Sequence, residues 1–321
     1  MKREWGILAL LIVLCALVTL LNPRFLGAAN LQNMARLTGM YGIFSIGVGV
    51  VIITGGIDLS VGSIFALLGI VLAISLTEWG LPWPFAVLLV LSGAVALGLF
   101  HGALVTRLRI QPFIATLCGL LLYRGMARFI ANDESKGFGA EGFETLRFLA
   151  TGTVFGIPMP LILLLAIAAV AWVVLERSVY GRYLYAVGHN REAARYSGIR
   201  TNRVVAGAYV VSSFLAGVSA ILLAFYTNSI SPSTHGSFYE LYGIAAAVLG
   251  GCSLRGGEGS VAGILVGAAL LQVLQNLVNL LGIPSSLNFA VMGGVILIGV
   301  ALDSILKRRR ELRAREIELA G

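Results

Sequence analysis

Residues 43–70 read Ile43-Phe44-Ser45-Ile46-Gly47-Val48-Gly49-Val50-Val51-Ile52-Ile53-Thr54-Gly55-Gly56-Ile57-Asp58-Leu59-Ser60-Val61-Gly62-Ser63-Ile64-Phe65-Ala66-Leu67-Leu68-Gly69-Ile70. Two apolar runs are split by a glycine-rich turn that carries one carboxylate. The runs are continuous rather than alternating, which fits helices whose backbone bonds are satisfied internally and not the strands of a barrel. The pattern repeats along all 321 residues, of which 58% are hydrophobic and 12% charged, with a mean hydropathy of +0.92. So little polar material cannot cover a water-facing surface, and a soluble domain is excluded. At about 30 residues per crossing and connection, the chain holds on the order of ten transmembrane helices and no separate soluble domain.

Apolar runs bounded by charge and by Pro/Gly breaks place the spans near 5–21, 37–54, 61–77, 84–106, 112–131, 160–175, 204–226, 239–251, 260–281 and 287–302. The expected fold is an all-α polytopic membrane protein with broken or short helices. A transmembrane permease domain covers 1–303, and a basic tail covers 304–321. The first run, after Lys2 and Arg3, lacks a small-residue cleavage site and reads as a retained span. With a cytoplasmic N-terminus, 17 Lys/Arg fall on the inside, including the six of the tail; Arg24, Arg36, Lys136 and Arg147 fall outside, and Arg124 and Arg128 lie in or near a span. The positive-inside rule therefore puts both termini in the cytoplasm. The +8 net charge is then an orientation signal and a tail on anionic lipid, needing no nucleic acid. The span at 239–251 is short and carries Glu240, which reads as a partly unwound crossing shielded by protein.

Forty glycines, about an eighth of the chain, point to close helix packing and broken helices. They mark two turns in particular. One holds Gly55, Gly56, Asp58, Ser60 and Gly62; the other holds Gly250, Gly251, Gly257 and Gly259. Both contain Gly-Gly-x-x-Leu and end in Gly-Ser before an apolar helix, a likeness suggesting an internal repeat, although a six-span separation fits no five-plus-five inversion. Asp58 at membrane depth can cap the next helix, touch solute or meet another subunit.

The longest polar inside stretch, 176–203, has eight charged residues in 28. Within it Glu192 to Gly198 reads as a short helix with Asn190 as N-cap and Gly198 as stop, either an interfacial loop helix or a docking element. No Gly-rich loop precedes Lys-Ser/Thr, so this chain shows no phosphate-cradling loop. His101, His189 and His235 are isolated, and Cys15, Cys118 and Cys252 have no metal spacing, so no metal site or metal chemistry is expected. Few ionisable residues sit in mid-span, which weakens a proton- or sodium-coupled carrier.

The chain resembles the permease subunits of ribose-type ABC sugar importers, a group that includes arabinose, xylose and autoinducer-2 systems. The likeness covers nearly the whole chain and rests on Thr54 to Ser63, Gln111 to Leu117 with Tyr123-Arg124-Gly125, Gly181-Arg182 through Gly188, Glu192 to Gly198, and Ile244 to Gly251 through Ser260. Tyr242, Cys252 and Cys118 depart from residues common there, Asp, Thr and Gly.

The resemblance implies a multi-pass bacterial inner-membrane protein that is not itself an enzyme. Its implied partners are a second permease copy or paralogue, a cytoplasmic ATPase holding ATP and magnesium, and an extracytoplasmic sugar-binding protein. It makes Glu192, Ala193, Ala194 and Gly198 the coupling helix. The expected outer surface for the binding protein is 132–147 and 228–240, with Asp133, Glu134, Glu141, Glu144 and His235.

Candidate pathway residues are Asp58, Ser60, Gln111, Tyr123, Arg124, Asn276 and Asn279, because polar groups in apolar spans prefer the interior. The stripe Gln272, Gln275, Asn276 and Asn279 equally suits hydrogen bonding between helices. The competing class is a stand-alone secondary carrier or channel for a small polar solute.

Overall fold

A computed structural model describes residues 3–139 and 142–284, together with 287, 290, 293, 294 and 297. The sequence span at 287–302 therefore falls largely outside the described residues, and the tail at 304–321 wholly so. The elements are α1 (Arg3–Leu21), a 3-10 turn (Pro23–Leu26), α2 (Ala28–Ile53), α3 (Val61–Thr77), α4 (Trp83–Thr106), α5 (Pro112–Ile130), β1 (Lys136–Gly137), α6 (Glu144–Thr151), β2 (Thr153–Val154), β3 (Ile157–Pro158), α7 (Met159–Arg177), α8 (Val179–His189), α9 (Arg191–Tyr196), α10 (Thr201–Thr227), β4 (Ser229–Ile230), α11 (Tyr239–Leu249) and α12 (Val261–Leu280). The two strand pairs, β1 with β4 and β2 with β3, are antiparallel ties at loop level.

Six of these helices are long and apolar enough to cross a bilayer: α2, α4, α5, α7, α10 and α12. Shorter apolar helical stretches are Gly6–Leu21 within α1, α3 and α11. Burial sorts them into layers. Of the most apolar stretch, 78% is buried in α2 and α10, against 22% in α4 and α7. The outer helices present Leu88, Leu89, Leu121, Leu165 and Val170 on open faces, a surface suited to acyl chains and not to water. The all-α polytopic membrane fold expected from the sequence is the fold observed.

The centre is the antiparallel pair α2–α10. Ser219 Oγ donates to the Met40 carbonyl at 3.1 Å, and further along Gly47 faces Ser212, where a Cβ would lie 2.8 Å from Ser212 Cα. Such an approach is open only to a residue without a side chain. Helix α4 runs antiparallel to α10 on a second small-residue seam, since a Cβ on Gly98 would lie 2.6 Å from Val210 Cα and one on Gly102 would lie 2.9 Å from Ala206.

Helix α12 stands to α2 as α4 stands to α10. Asn30 and Asn276 exchange hydrogen bonds at 3.1 and 2.7 Å, and Gly49 packs on Ile264 toward the opposite ends. Likewise α3 runs parallel to α10, while α11 runs parallel to α2, with Phe44 against Tyr239 and Val48 against Gly243. The units α2–α3–α4 and α10–α11–α12 thus repeat one pattern in opposite directions.

This corrects the equivalence suggested by the two Gly-Gly turns. The counterpart of residues 54–60 is the break at 228–238, between α10 and α11; the turn at 250–260 corresponds in order to the α3–α4 connection. Shared glycine spelling misled because both turns need backbone without side chains, for different neighbours.

Candidate translocation and coupling sites

Each long central helix ends in an extended break, followed by a helix that starts inside the bundle. After α2 the chain passes Gly55 (φ +79°) and climbs through Ile57 to Ser60, where α3 begins. Asp58 is fully buried there. Its Oδ1 accepts the Ser60 amide at 3.0 Å and the Ser60 hydroxyl at 2.6 Å, and its Oδ2 accepts the Ser212 hydroxyl at 2.9 Å. Asp58 therefore closes a local turn over Ser60 and ties it to α10. Ser60, though at the N-cap of α3, makes no capping bond with its side chain, because its hydroxyl is turned to the carboxylate.

The Ser60 hydroxyl has one proton and gives it to Asp58, so at its 3.3 Å contact with His101 Nδ1 it must accept. That assigns the ring proton of neutral His101 to Nδ1, leaving Nε2 to accept from the Tyr123 hydroxyl at 3.1 Å. The result is a directed chain, Tyr123 to His101 to Ser60 to Asp58, joining α5, α4 and the break. Gly119 of α5 leaves room for it, since a Cβ there would meet the His101 ring. Tyr209 adds a bond to the Ile57 carbonyl at 3.3 Å. Such a network, fully satisfied, fixes an irregular backbone inside a membrane protein.

The second break descends from Asn228 (φ +54°) through Ile230, which packs on Gly69, to Gly236 (φ +71°), which packs on Gly62. Gly62 and Gly236 touch backbone to backbone, and a Cβ on either would strike the carbonyl of the other. Arg124 holds this contact. Its guanidinium donates to the carbonyls of His235 (2.7 Å), Pro232 (3.2 Å) and Gly62 (3.3 Å). Glu240, in the first turn of α11, is buried against Gly62. Adjacent residues of α5 thus serve different breaks, Tyr123 through His101 the first and Arg124 the second. Near them Tyr41, Phe44, Phe65, Tyr239 and Tyr242 form an aromatic cluster, with the Tyr41 and Tyr239 hydroxyls 3.2 Å apart.

One sequence expectation needs correction here. His235 is not part of an outer polar surface, since it is buried in the bundle with Glu240, whereas Ser229, Ser233 and Thr234 of the 228–240 segment are exposed. Asp133, Glu134 and Glu144 are exposed, whereas Glu141 lies outside the described residues. Around them Arg128 grips Asp133 at 2.8 and 2.6 Å, which lowers the Asp133 carboxyl from its usual range, and Lys136 meets Glu78 at 2.9 Å. His101, which stands alone in the sequence, is the centre of the first network.

The other candidates disperse. Asn276 pairs with Asn30, Gln272 lies 3.5 Å from the Tyr242 hydroxyl, and Asn279 is exposed at the end of α12. Gln111 is exposed at the start of α5, on the bundle end that carries α9. Tyr242 is buried among aromatic rings, and Cys252 is buried beside Gly259. Among the described residues no group of three His, Cys, Asp or Glu side chains could hold a metal ion.

Helix α9 forms where the capping residues place it. Asn190 Oδ1 accepts the Ala193 amide at 3.0 Å. At the other end the Ile199 amide bonds to the Ala194 carbonyl and the Gly198 amide to the Arg195 carbonyl, with Gly198 at φ +83°. These paired bonds around a left-handed glycine are a Schellman stop. Glu192 and Ala193 face outward while Ala194 is buried. The preceding α8 is anchored on both glycine turns: Gly188 lies against the Ile53 carbonyl, Tyr185 donates to the Gly259 carbonyl at 2.9 Å, and the Gly257 amide donates to Ile53 at 2.8 Å. Gly251 (φ +99°) and Gly250 finish α11, where Gly250 and Gly263 let α11 and α12 cross in backbone contact.

Comparison with known proteins shows the family of the chain. Residues 30–300 match the family model described as branched-chain amino acid transport system / permease component. The chain is similar to the ribose import permease protein RbsC of Haemophilus influenzae, with 37% identity over 302 residues, covering 94% of this chain and 93% of that one. It is similar to the fructose import permease protein FruF of Bifidobacterium longum, with 32% identity over 338 residues, covering 99% and 94%. The xylose transport system permease protein XylH of Escherichia coli is 31% identical over 343 residues, covering 89% and 87%. No solved structure matches. The chain belongs to this permease family, as a multi-pass inner-membrane permease of the ribose-type ABC sugar importers.

Proposed function

We propose that the chain passes a monosaccharide or closely sugar-like solute across the membrane in ten crossings, with both termini cytoplasmic and a second permease chain completing the pathway. An extracytoplasmic binding protein delivers the solute, and a cytoplasmic ATPase, which holds ATP and magnesium, drives the cycle; neither cofactor binds here. The ATPase docks on α9 through Glu192, Ala193 and the helix end set by Gly198.

The observation that carries this reading is the packing of Gly188 on Ile53, beside Gly55 and Gly257. A push on α8–α9 is delivered at once to the entry of the first break and to the α11–α12 turn, without an intervening flexible loop. The two breaks beside the pathway then exchange arrangements together, since α5 holds one through Tyr123 and the other through Arg124. Because most polar side chains there are bonded to protein, solute is held loosely, which suits selectivity residing in the binding protein.

The test is co-purification of the ATPase subunit with wild type, Glu192→Lys and Gly198→Pro. Proline cannot adopt the left-handed φ of residue 198 and destroys the Schellman stop. The reading expects both variants to retain less than about a tenth of the ATPase bound by wild type, the loss of roughly 1.4 kcal/mol or more of binding energy. Equal recovery in all three would refute the docking assignment. Transport persisting without ATPase would favour a stand-alone carrier.

A further inference from the structure

Beside α9 lies a cleft of about 590 Å³ whose walls come from the α4–α5 connection, α9 and the start of α10. Arg109, Arg191, Arg195, Arg200 and Arg203 line it, with Glu192 the only carboxylate among the lining residues. Arg109 is 82 or more positions away from the others, and only the fold brings it there. Arg191 donates to Asn202 at 3.1 Å. The side chains of Arg109, Arg195, Arg200 and Arg203 have no hydrogen bond or ion pair among the described residues. The floor is apolar, formed by Val105, Ile110 and Ile199.

Five like charges around one concavity repel each other and raise the local concentration of any anion. All five are arginines, whose planar fork grips a carboxylate through two parallel bonds, better than lysine does. The cleft shares Glu192 and Arg195 with α9, so whatever seats α9 also covers the cleft. We propose that it receives a carboxylate-bearing segment of the ATPase subunit, making the α4–α5 loop at Arg109 a second docking element. This rests on the reading of α9 as the coupling helix. The apolar floor takes the flanking side chains of that acidic segment, and the arginine rim sets its orientation and the rate of encounter.

The test measures binding of the purified ATPase subunit to the full-length permease in lipid discs across a range of salt. It compares wild type, Arg109→Glu/Arg203→Glu and the neutral Arg109→Gln/Arg203→Gln. Glutamate at 203 falls in the first turn of α10, where a negative charge is tolerated, and residue 109 is exposed, so both variants keep the fold. Wild-type binding should weaken as salt rises. The charge-reversed pair should bind about tenfold or more weakly at low salt with a flatter salt dependence, and the neutral pair should fall between.

Equal affinity and equal salt dependence in all three would overturn the proposal. So would unchanged ATPase binding coupled to lost thermal stabilisation by phosphatidylglycerol vesicles relative to phosphatidylcholine vesicles, which would make the cleft a lipid site. Failure of wild type itself to bind the ATPase would instead remove the coupling reading on which the proposal stands.

Discussion

Asp58 accepts three hydrogen bonds while buried, and its value lies in what it would leave unpaired if removed. Asp58→Ala should lower the thermal stability of the detergent-purified protein by on the order of 3 kcal/mol, since Ser60 and Ser212 lose their acceptor inside the bundle. Tyr123→Phe removes only the outermost donor of the chain and should cost about 1 kcal/mol, read as a smaller shift in the same melting experiment. An equal shift for both would contradict the directed chain. The sequence pointed to Asp58, Ser60 and Tyr123 as polar residues in apolar surroundings, yet gave no sign that they meet. Linear spacing reports neighbours on one helix, whereas His101 joins residues 41 and 22 positions away. The available signal was Gly98 and Gly102, one turn apart around His101, marking a face of α4 pressed against another helix.

Among elements, the span boundaries were the most legible, because apolar runs end where charge or proline begins. Helix α3 matches its expected range of 61–77, and the other helices at expected spans within the described residues agree to within a few positions except at the start of α2. That helix begins at Ala28, nine residues before the expected 37, since Asn30, Asn33 and Arg36 look like loop residues until their partners are seen. Asn30 bonds Asn276, Asn33 accepts from Tyr226 and Arg36 donates to the Thr151 carbonyl. Helices α6 and α8 went unread because they are short and their apolar faces are narrow.

The Gly62–Gly236 contact is the element-scale feature most open to test. Gly62→Val would push its side chain into the Gly236 carbonyl and the Glu240 carboxylate and separate the breaks. It should destabilise the protein by about 2 kcal/mol or more in thermal unfolding, in the range of overpacking a closed core. By comparison Gly125→Ala, with nothing within 4 Å of the added carbon, should be neutral or slightly stabilising in the same assay. At the α9 start, Asn190→Ala should weaken the short helix by about 1 kcal/mol, visible as faster amide exchange at Ala193.

At the scale of the whole molecule, two oppositely directed units share a central helix pair, and their breaks meet at Gly62 and Gly236 under a clamp from α5. The sequence showed that helices break, and where the first break lies. It could not show that the second lies before α11, because Asn228 to Phe238 is polar enough to pass for a loop in water. What holds its inner part in the bundle is tertiary: Arg124 binds the Pro232 and His235 carbonyls, Gly62 makes room for the backbone at Gly236, and Gly69 makes room for the Ile230 side chain. The same architecture places α8 against the foot of the first break, and in the proposed function a partner acting on α8–α9 reaches the pathway through that contact.

Uptake of labelled ribose, xylose and fructose into vesicles tests that claim most directly. The vesicles contain this permease with its ATPase, supplied with the binding protein outside and ATP within. The account predicts accumulation of at least one sugar that requires ATP and the ATPase and is lost in Gly198→Pro. Uptake at the same rate without ATP, or undiminished in Gly198→Pro, would contradict it.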